Sequence, residues 1–309
     1  MFSKSFCIYL QFYTNKYIYL TKHIKISCYY IYIMSSSHTT TKEGGRLGNQ
    51  IIRNLAVSLI AEKHDLFVEY SSRYSIERLG IKLFVGKKKH KNCKKLNMDN
   101  YFAVLNNDTL TKNLDPNDCY FQNKEITNLI YNHLHSDDII DNIMNKNQFK
   151  ERYLSNNDLF IHVRLGDTVQ YNPGIQYYLK AISKIKYDNL YISTDDKSHP
   201  IISEIAKNYP YQTHLLMYDE VSTLQFASTC KHVILSHGSF SAVIGYLSFF
   251  SEVYYPEYEE GKMWYGDMFS IDGWNKVCNY RDNNNSNYSN NNKDSNKSKD
   301  YDSKFMVYL

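Results

Sequence analysis

The sequence has few of the residues that cross-link small folds or bind metal ions. Its six cysteines are scattered and include no CxxC pair, which argues against a zinc ribbon and against a dense disulfide framework. A hard cation needs clustered oxygen ligands, and the one Asp-x-Asp pair, Asp300-Tyr301-Asp302, lies in a polar tail. We therefore expect no metal site in the folded part of the chain.

Strong charge of one sign is also missing. The net charge is +4 and is spread along the chain, which is too weak and too scattered for a nucleic-acid-binding surface. The densest basic run, Lys87 to Lys91 with Lys94 and Lys95, is typical of a solvated loop. We predict no nucleic-acid partner, and mild basicity suits an anionic small ligand.

The two ends differ in composition from the rest of the chain. Residues 1–42 form a leader in which Lys16 interrupts the apolar stretch from Phe6 to Tyr19, so no uninterrupted run reaches the roughly 18 residues of a membrane-spanning helix. We favour an upstream extension with Met34 as the start. A weak signal anchor is the alternative, which leaves membrane association and the compartment open.

Residues 279–309 are rich in Asn, Ser and Lys and have little apolar surface to bury. Such a composition predicts a disordered tail. The folded part is therefore expected between about residues 43 and 278.

The second half of that part, residues 151–278, alternates short apolar runs with helical patterns. The runs 159–163, 189–193, 214–217, 232–235 and 252–255 predict strands, and the segments 176–185, 201–207, 221–228 and 239–250 predict helices. Strands that alternate with helices at this spacing predict a parallel sheet covered on both faces. We expect a Rossmann-like half with ligands at the carboxyl ends of its strands.

The first half, residues 43–150, is harder to interpret. Apolar residues at helical spacing predict an amphipathic helix from Gln50 to Lys63, entered from the Gly-rich turn Gly44–Gly48. A short strand is predicted at Leu66–Tyr70 and a helix at Asp137–Met144.

The motif His162-Val163-Arg164-Leu165-Gly166-Asp167 carries the clearest chemistry. Alternate residues of a strand share a face, so His162 and Arg164 emerge together at its carboxyl end. A guanidinium matches phosphate oxygens in a planar, two-pronged way and can stabilise charge that develops on a leaving diphosphate. A structural salt bridge between Arg164 and Asp167 explains the same residues and stays open.

Two further polar motifs follow predicted strands. The carboxylates of Thr194-Asp195-Asp196 could accept hydrogen bonds from a base or ribose, or could cap the helix near Pro200. Ser239-Phe240-Ser241 opens an apolar helix, where hydroxyls and free N–H groups form an anion site or, alternatively, an ordinary helix cap.

In order and spacing, these motifs resemble the α-1,2-fucosyltransferase family. The resemblance rests on Gly45-Arg46-Leu47-Gly48-Asn49-Gln50, on His162 to Asp167, on Ser193 to Asp196, and on the stretch from Cys230 to Ser241. It implies a GT-B-like α/β fold in which two Rossmann-like halves with parallel sheets face a central cleft. It also implies inverting, metal-independent transfer of L-fucose from GDP-fucose to an acceptor glycan, in this family the 2-hydroxyl of galactose.

The resemblance also implies roles for individual residues. Arg164 would bind the donor diphosphate, with His162 and Asp167 orienting it. The remaining donor contacts would come from seven residues of the other motifs: Asn49 and Gln50 near the cleft, Asp195 and Asp196 at the nucleoside, and Ser239, Phe240 and Ser241 near the phosphates. The general base that inversion needs is not ranked among Asp167, His162 and Glu43.

The chain departs from the family pattern at one position of the arginine motif, where many members have a second arginine and this chain has Leu165. Polar residues 35–42 also replace the usual first strand. Two alternatives therefore stay open. One is a transferase with another nucleotide sugar or fucosyl linkage, and the other is a catalytically inactive glycan- or nucleotide-binding relative.

Overall fold

The computed structural model describes residues 38–211, 213–258 and 266–278, together with the backbone of residues 307–308. Most of the predicted leader, residues 1–37, lies outside the described residues. So does the predicted tail, except for residues 307–308.

The first half contains short parallel strands and helices of mixed length. Its elements in chain order are β1 (Thr39–Thr40), α1 (Leu47–His64), β2 (Val68–Glu69), α2 (Arg73–Arg78), β3 (Cys93–Lys95), α3 (Tyr101–Leu105), β4 (Asn113–Asp115), α4 (Lys124–Leu134) and α5 (Asp137–Lys146). β1 pairs with β2 and β3 pairs with β4, both in parallel. The predicted helices at 50–63 and 137–144 are confirmed and extend by a few residues.

A strand does precede the Gly-rich turn, although the sequence there is polar. Thr39 of β1 is fully buried, and its Oγ1 accepts a hydrogen bond from the Leu114 N–H of β4 at 2.8 Å. A buried hydroxyl is tolerated when it is hydrogen-bonded. A threonine therefore fills a position at which the sequence pattern favours an apolar residue.

The second half follows the predicted alternation of strands and helices closely. Its elements are β5 (Leu159–Val163), α6 (Ile175–Ile182), β6 (Leu190–Thr194), α7 (Pro200–Asn208), β7 (Thr213–Leu215), α8 (Glu220–Ala227), β8 (His232–Ile234), α9 (Ser239–Tyr246), β9 (Glu252–Pro256), β10 (Asn275–Val277) and β11 (Val307–Tyr308). Two 3-10 turns, Lys150–Arg152 and Gly166–Tyr171, flank β5.

Six of these strands form one parallel sheet in the order β10-β9-β8-β5-β6-β7. The short strand β11 adds to it in parallel beside β7. Helices flank the sheet, so the predicted Rossmann-like α/β fold is confirmed for this half. The order runs outward from β5 in both directions, and β5 and β8 therefore flank the point at which the chain reverses direction across the sheet.

The two faces of the sheet pack against different helices. Ile161, Val163 and Leu165 lie in one buried cluster with residues of α6 and α7. Phe160 points the other way, into a larger cluster that also contains apolar residues of α1, α8 and α9. The predicted alternation along β5 is confirmed, and one hydrophobic core joins the first half of the chain to the second.

Helices α1 and α9 are in close contact at their N-terminal ends. A Cβ added at Gly48 would lie 2.5 Å from the backbone nitrogen of Phe240, so only glycine fits there. This contact places the Gly-rich turn before α1 beside the loop that follows β8. Across the described segments, no helix has the length and apolar character needed to cross a membrane.

Candidate functional site

A cavity of about 350 Å³ lies over the carboxyl ends of β8, β5, β6 and β7. Its position agrees with the general rule that ligands of open parallel sheets bind where the strand order reverses. Both halves of the chain contribute to its lining: Gly45, Arg46, Asn49, Tyr120, His162, Arg164, Asp167, Thr168, Ser193, Thr194, Asp195, Tyr218, Glu220, Thr223, His237, Gly238, Ser239 and Phe240.

Two arginines and two aspartates form an ion-pair cluster in this cavity. Arg164, whose side chain is only 13% exposed, pairs with Asp167 and with Asp195. Arg46 reaches the same two carboxylates from the first half, at 3.2 Å from Asp167 Oδ1 and 3.1 Å from Asp195 Oδ2. Two guanidiniums from different parts of the chain thus converge on one point, each able to present a planar pair of donors.

Asp195 acts as the counterion of this cluster. Burial raises the pKa of its carboxyl, but the hydrogen bond from the Leu165 N–H at 2.8 Å and the charges of Arg164 and Arg46 outweigh it and hold the pKa below its ordinary value. The predicted contact of Asp195 with a nucleoside therefore competes with bonds that already occupy both of its oxygens.

His162 and His237 are buried beside the arginines and are neutral. His162 Nδ1 is hydrogen-bonded to Ser241 Oγ at 2.8 Å, and burial lowers the pKa of His162 to about 3. His237 Nε2 is hydrogen-bonded to Thr168 Oγ1 at 2.9 Å, and burial lowers its pKa to about 4. Neither ring adds positive charge near neutral pH, and His162 is too weak a base to accept a proton readily.

The first turn of α9 faces the cavity without a side-chain cap. Gly238 has a φ of 86°, a backbone conformation that favours glycine. Ser239 Oγ donates to Asn49 Oδ1 on α1 instead of capping its own helix. Within the described part of the chain, no side chain accepts a hydrogen bond from the first N–H groups of α9, and these groups add partial positive charge beside the arginines.

Buried Arg53 fixes the wall that the first half contributes. It donates to the carbonyls of Cys119 and Lys42, both at 3.0 Å, and its guanidinium lies 4.5 Å from the ring centre of Tyr120. These bonds join α1 to the segment just before the Gly-rich turn and to the loop that contains Tyr120, and so hold this wall of the cavity together.

Seven of the predicted site residues line the cavity: Asn49, His162, Arg164, Asp167, Asp195, Ser239 and Phe240. Three others do not, because their polar groups serve the fold. Gln50 is buried, donates to the Gly44 carbonyl and accepts from Ser71 Oγ at 2.7 Å. Asp196 accepts from Ser198 in an exposed turn. Ser241 is fully buried and accepts from the Ser236 N–H at 2.7 Å while it bonds His162.

Glu43, one of the three candidate bases, is exposed and does not line the cavity. Sequence reasoning also missed several residues that do: Arg46, Tyr120, Thr168, Tyr218, Glu220, Thr223 and His237. Arg46 and His237 stand inside recognised motifs and could have been chosen as site residues. Glu220 opens the helix after β7, a position that the rule on strand ends also points to.

In the part of the chain that the structure describes, no cluster of three or more His, Cys, Asp or Glu side chains could hold a metal ion. The cavity instead concentrates guanidiniums and backbone N–H groups, which are ligands for phosphate oxygens. Comparison with protein-family models and with curated proteins gave no match for this chain.

Proposed function

We propose that this protein is an inverting glycosyltransferase that moves L-fucose from GDP-fucose to a hydroxyl of an acceptor glycan, the 2-hydroxyl of galactose. One observation carries the proposal. Arg46 and Arg164, from different halves of the chain, converge beside the uncapped start of α9 in a cavity of about 350 Å³. A diphosphate is the ligand whose charge and shape suit two guanidiniums and a helix N-terminus together.

The proposed reaction breaks the bond between the anomeric carbon and the β-phosphate oxygen, and the electron pair stays on GDP. The acceptor oxygen forms the new bond on the opposite face, and its proton passes to a base. Both guanidiniums stabilise the negative charge that develops on the leaving diphosphate. Before the donor binds, Asp167 and Asp195 occupy these guanidiniums, so the diphosphate competes with them.

Asp167 is the proposed general base. It lines the cavity, and its side chain is 64% exposed. Displacement from the arginines by the diphosphate would free its carboxylate for the acceptor proton. His162 is less suited because burial lowers its pKa to about 3, and Glu43 lies outside the cavity lining.

We also propose that residues 43–150, together with the short strand β1 (Thr39–Thr40) that precedes them, form the second half of a GT-B-like arrangement, on the acceptor side. The support is the parallel pairing of β1 with β2 and of β3 with β4, linked by the hydrogen bond from Leu114 to Thr39. The identity of the donor and the acceptor rests on the resemblance of the motifs. Another nucleotide sugar or another linkage would use the same cavity.

A second candidate function is nucleotide or glycan binding without transfer. Leu165, at the position of the family's second arginine, is fully buried in the cluster beneath α6 and α7. Its side chain therefore stays out of the cavity, and only its backbone N–H takes part, as a donor to Asp195. The position at which many family members have a second arginine thus adds no cation to the cavity.

The test combines binding with turnover. We expect GDP to raise the melting temperature and GDP-fucose to release GDP faster in the presence of a galactose-terminated glycan than without it. Stabilisation by GDP without release against a panel of glycans would support the binding protein. Absence of both effects would contradict the transferase and the nucleotide-binding protein.

A further inference from the structure

A row of five buried polar side chains lies behind the cavity, between the segment that follows β5 and the loop that follows β8. In order they are Asn172, Tyr178, Ser236, His237 and Thr168, each at most 8% exposed, and a hydrogen bond joins each to the next. His237 and Thr168 also line the cavity. No step of the proposed reaction uses this row. We call its first four residues the relay, and Thr168 its end.

The direction of the relay is fixed at Asn172. Asn172 Nδ2 donates to the Arg164 carbonyl at 2.7 Å, and Asn172 Oδ1 accepts from the Gly174 N–H at 2.8 Å. Because a backbone carbonyl only accepts and a backbone N–H only donates, the amide can be oriented in one way. Nδ2 is therefore also the donor in the contact with Tyr178 Oη at 3.0 Å.

The two hydroxyls that follow pass this direction on, because each has a single hydrogen to donate. Tyr178 accepts from Asn172 and donates to Ser236 Oγ at 2.9 Å. Among the described residues, Ser236 Oγ has one further partner, His237 Nδ1 at 3.4 Å. A buried hydroxyl hydrogen without an acceptor is costly. We therefore assign Ser236 as the donor and Nδ1 as the acceptor.

The His237 ring carries the direction to the cavity. Burial lowers the pKa of His237 to about 4, so the ring is neutral near pH 7 and has one N–H group. Because Nδ1 accepts from Ser236, the hydrogen lies on Nε2. The ring then donates it to Thr168 Oγ1 at 2.9 Å.

The Thr168 hydroxyl thus accepts from the relay and keeps its own hydrogen. In the described part of the chain this hydroxyl has no other hydrogen-bond partner. Thr168 lies on the 3-10 turn directly after Asp167 and lines the cavity, so its hydrogen is available to a ligand. In the opposite direction, Thr168 would donate to His237 and would offer a ligand only lone pairs, which repel a phosphate oxygen.

We propose that the four relay residues are positioning residues, which hold the Thr168 hydroxyl as a hydrogen-bond donor to a phosphate oxygen of the bound ligand. This inference rests on the proposed function, because it takes the ligand to be a nucleoside diphosphate at Arg46 and Arg164. It adds to the two guanidiniums a neutral donor whose direction is set before the ligand binds.

The first test removes the hydroxyl at the end of the relay. Dissociation constants for GDP are measured by calorimetry on the full chain, together with melting temperatures. Thr168→Val keeps the shape of the side chain and should weaken GDP binding about 10- to 100-fold, the range for a hydrogen bond to a charged group. Thr168→Ser keeps the hydroxyl and should bind GDP within about threefold of wild type.

The second test breaks the relay at a distance from the ligand. In Tyr178→Phe, Ser236 Oγ loses its donor and is free to accept from His237 Nδ1, so the direction can reverse. GDP binding should weaken about 3- to 10-fold, as for coupled residues of one network. In a Thr168→Val background, Tyr178→Phe should have no further effect, a coupling that a purely structural role would not produce. Ser236→Ala should show the same pattern and supplies a second measurement if Tyr178→Phe does not fold.

Tyr177→Phe is the matched control. Tyr177 is the neighbouring buried tyrosine on α6, and its hydroxyl donates to the Leu235 carbonyl at 2.7 Å, outside the relay. Like Tyr178→Phe, it removes one buried hydroxyl and should lower the melting temperature. It should leave the affinity for GDP unchanged.

Two outcomes would overturn the inference while GDP release by wild type leaves the proposed function intact. One is a folded Thr168→Val protein that binds GDP as tightly as wild type, or a Thr168→Ser protein that binds it as weakly as Thr168→Val. The other is an equal effect of Tyr178→Phe, or of Ser236→Ala, with and without the Thr168 hydroxyl. A wild-type protein that neither binds GDP nor releases it from GDP-fucose would overturn both this inference and the proposed function.

Discussion

Replacing Arg164 by alanine tests the cation cluster directly. Loss of a charge-assisted contact with a leaving diphosphate costs on the order of 3 kcal/mol in the activation barrier, which is at least about a hundredfold in rate. Arg164→Lys should recover little of this loss, because an ammonium keeps the charge but cannot present two parallel donors.

The structure also predicts that Arg164→Ala stays folded. Arg46 contacts both Asp167 and Asp195, so neither carboxylate is left without a cation when Arg164 is removed. Leu165 N–H continues to donate to Asp195 as well. We expect a loss of about 1–2 kcal/mol in the free energy of unfolding, between the values for exposed and buried ion pairs.

The assay measures GDP release from GDP-fucose with an acceptor, together with the melting temperature, for wild type, Arg164→Ala, Arg164→Lys and a control. Arg73→Ala is the control because Arg73 pairs with Glu77 on the exposed surface of α2 and does not line the cavity. A folded Arg164→Ala protein that turns over within about tenfold of wild type, under 1.4 kcal/mol, would refute the assignment. A large loss of stability with a modest loss of rate would instead indicate a structural salt bridge.

Three further predictions concern stability and binding. Burial lowers the pKa values of His162 and His237 to about 3 and 4 from an ordinary 6.5. As the pH falls below 6.5, these two histidines therefore take up protons in the unfolded chain but stay neutral in the folded chain until about pH 4. The free energy of unfolding should therefore fall between pH 7 and pH 5 by about 2 kcal/mol for each histidine, and urea titrations of His237→Gln that show the wild-type pH dependence would contradict this. Gly48→Ala should lower the free energy of unfolding by about 1–3 kcal/mol through overpacking, because the added Cβ would lie 2.5 Å from Phe240. Gly44→Ala, whose added Cβ has its nearest contact at 3.5 Å, is the control. Equal melting temperatures for the two variants would count against the tight helix contact. GDP should bind equally well with EDTA present, because Arg46, Arg164 and the start of α9 supply the positive charge, and binding that Mn²⁺ restores after EDTA treatment would refute this.

The sequence alone predicted the second half of the fold well. The apolar run 159–163 is too short for a helix and is bounded by polar turns, and it coincides with β5. The apolar residues from Gln50 to Lys63 recur at helical spacing and lie within α1, so the helix is confirmed. It is not amphipathic in its burial, because its polar residues Arg53, Asn54 and Ser58 are buried as well. In both cases the spacing of the apolar residues is visible in the local sequence, and the folded protein buries these same residues.

Of the short strands of the first half, β2 (Val68–Glu69) lies within the strand predicted at Leu66–Tyr70, whereas β3 and β4 were not predicted. Cys93–Lys95 and Asn113–Asp115 carry mostly polar residues, and strands of this length show no alternation in sequence. Their pairing depends on partners distant along the chain, such as the hydrogen bond between Leu114 and Thr39. Asn275–Val277 was missed for the same reason: its single buried residue, Val277, gives no periodic signal.

For the site, the sequence by itself determined which polar residues follow which strand, and this was enough to place His162, Arg164, Asp167 and Ser239 at one edge of the sheet. Only the tertiary structure decided how they are used. The close contact of Gly48 with Phe240 brings Arg46 against the same carboxylates as Arg164, although the two arginines are far apart in sequence. Strand order then places Glu220 in the same cavity. Ion-pair partners and burial depend on packing between segments that are distant in sequence, and they cannot be predicted from a local pattern of residues.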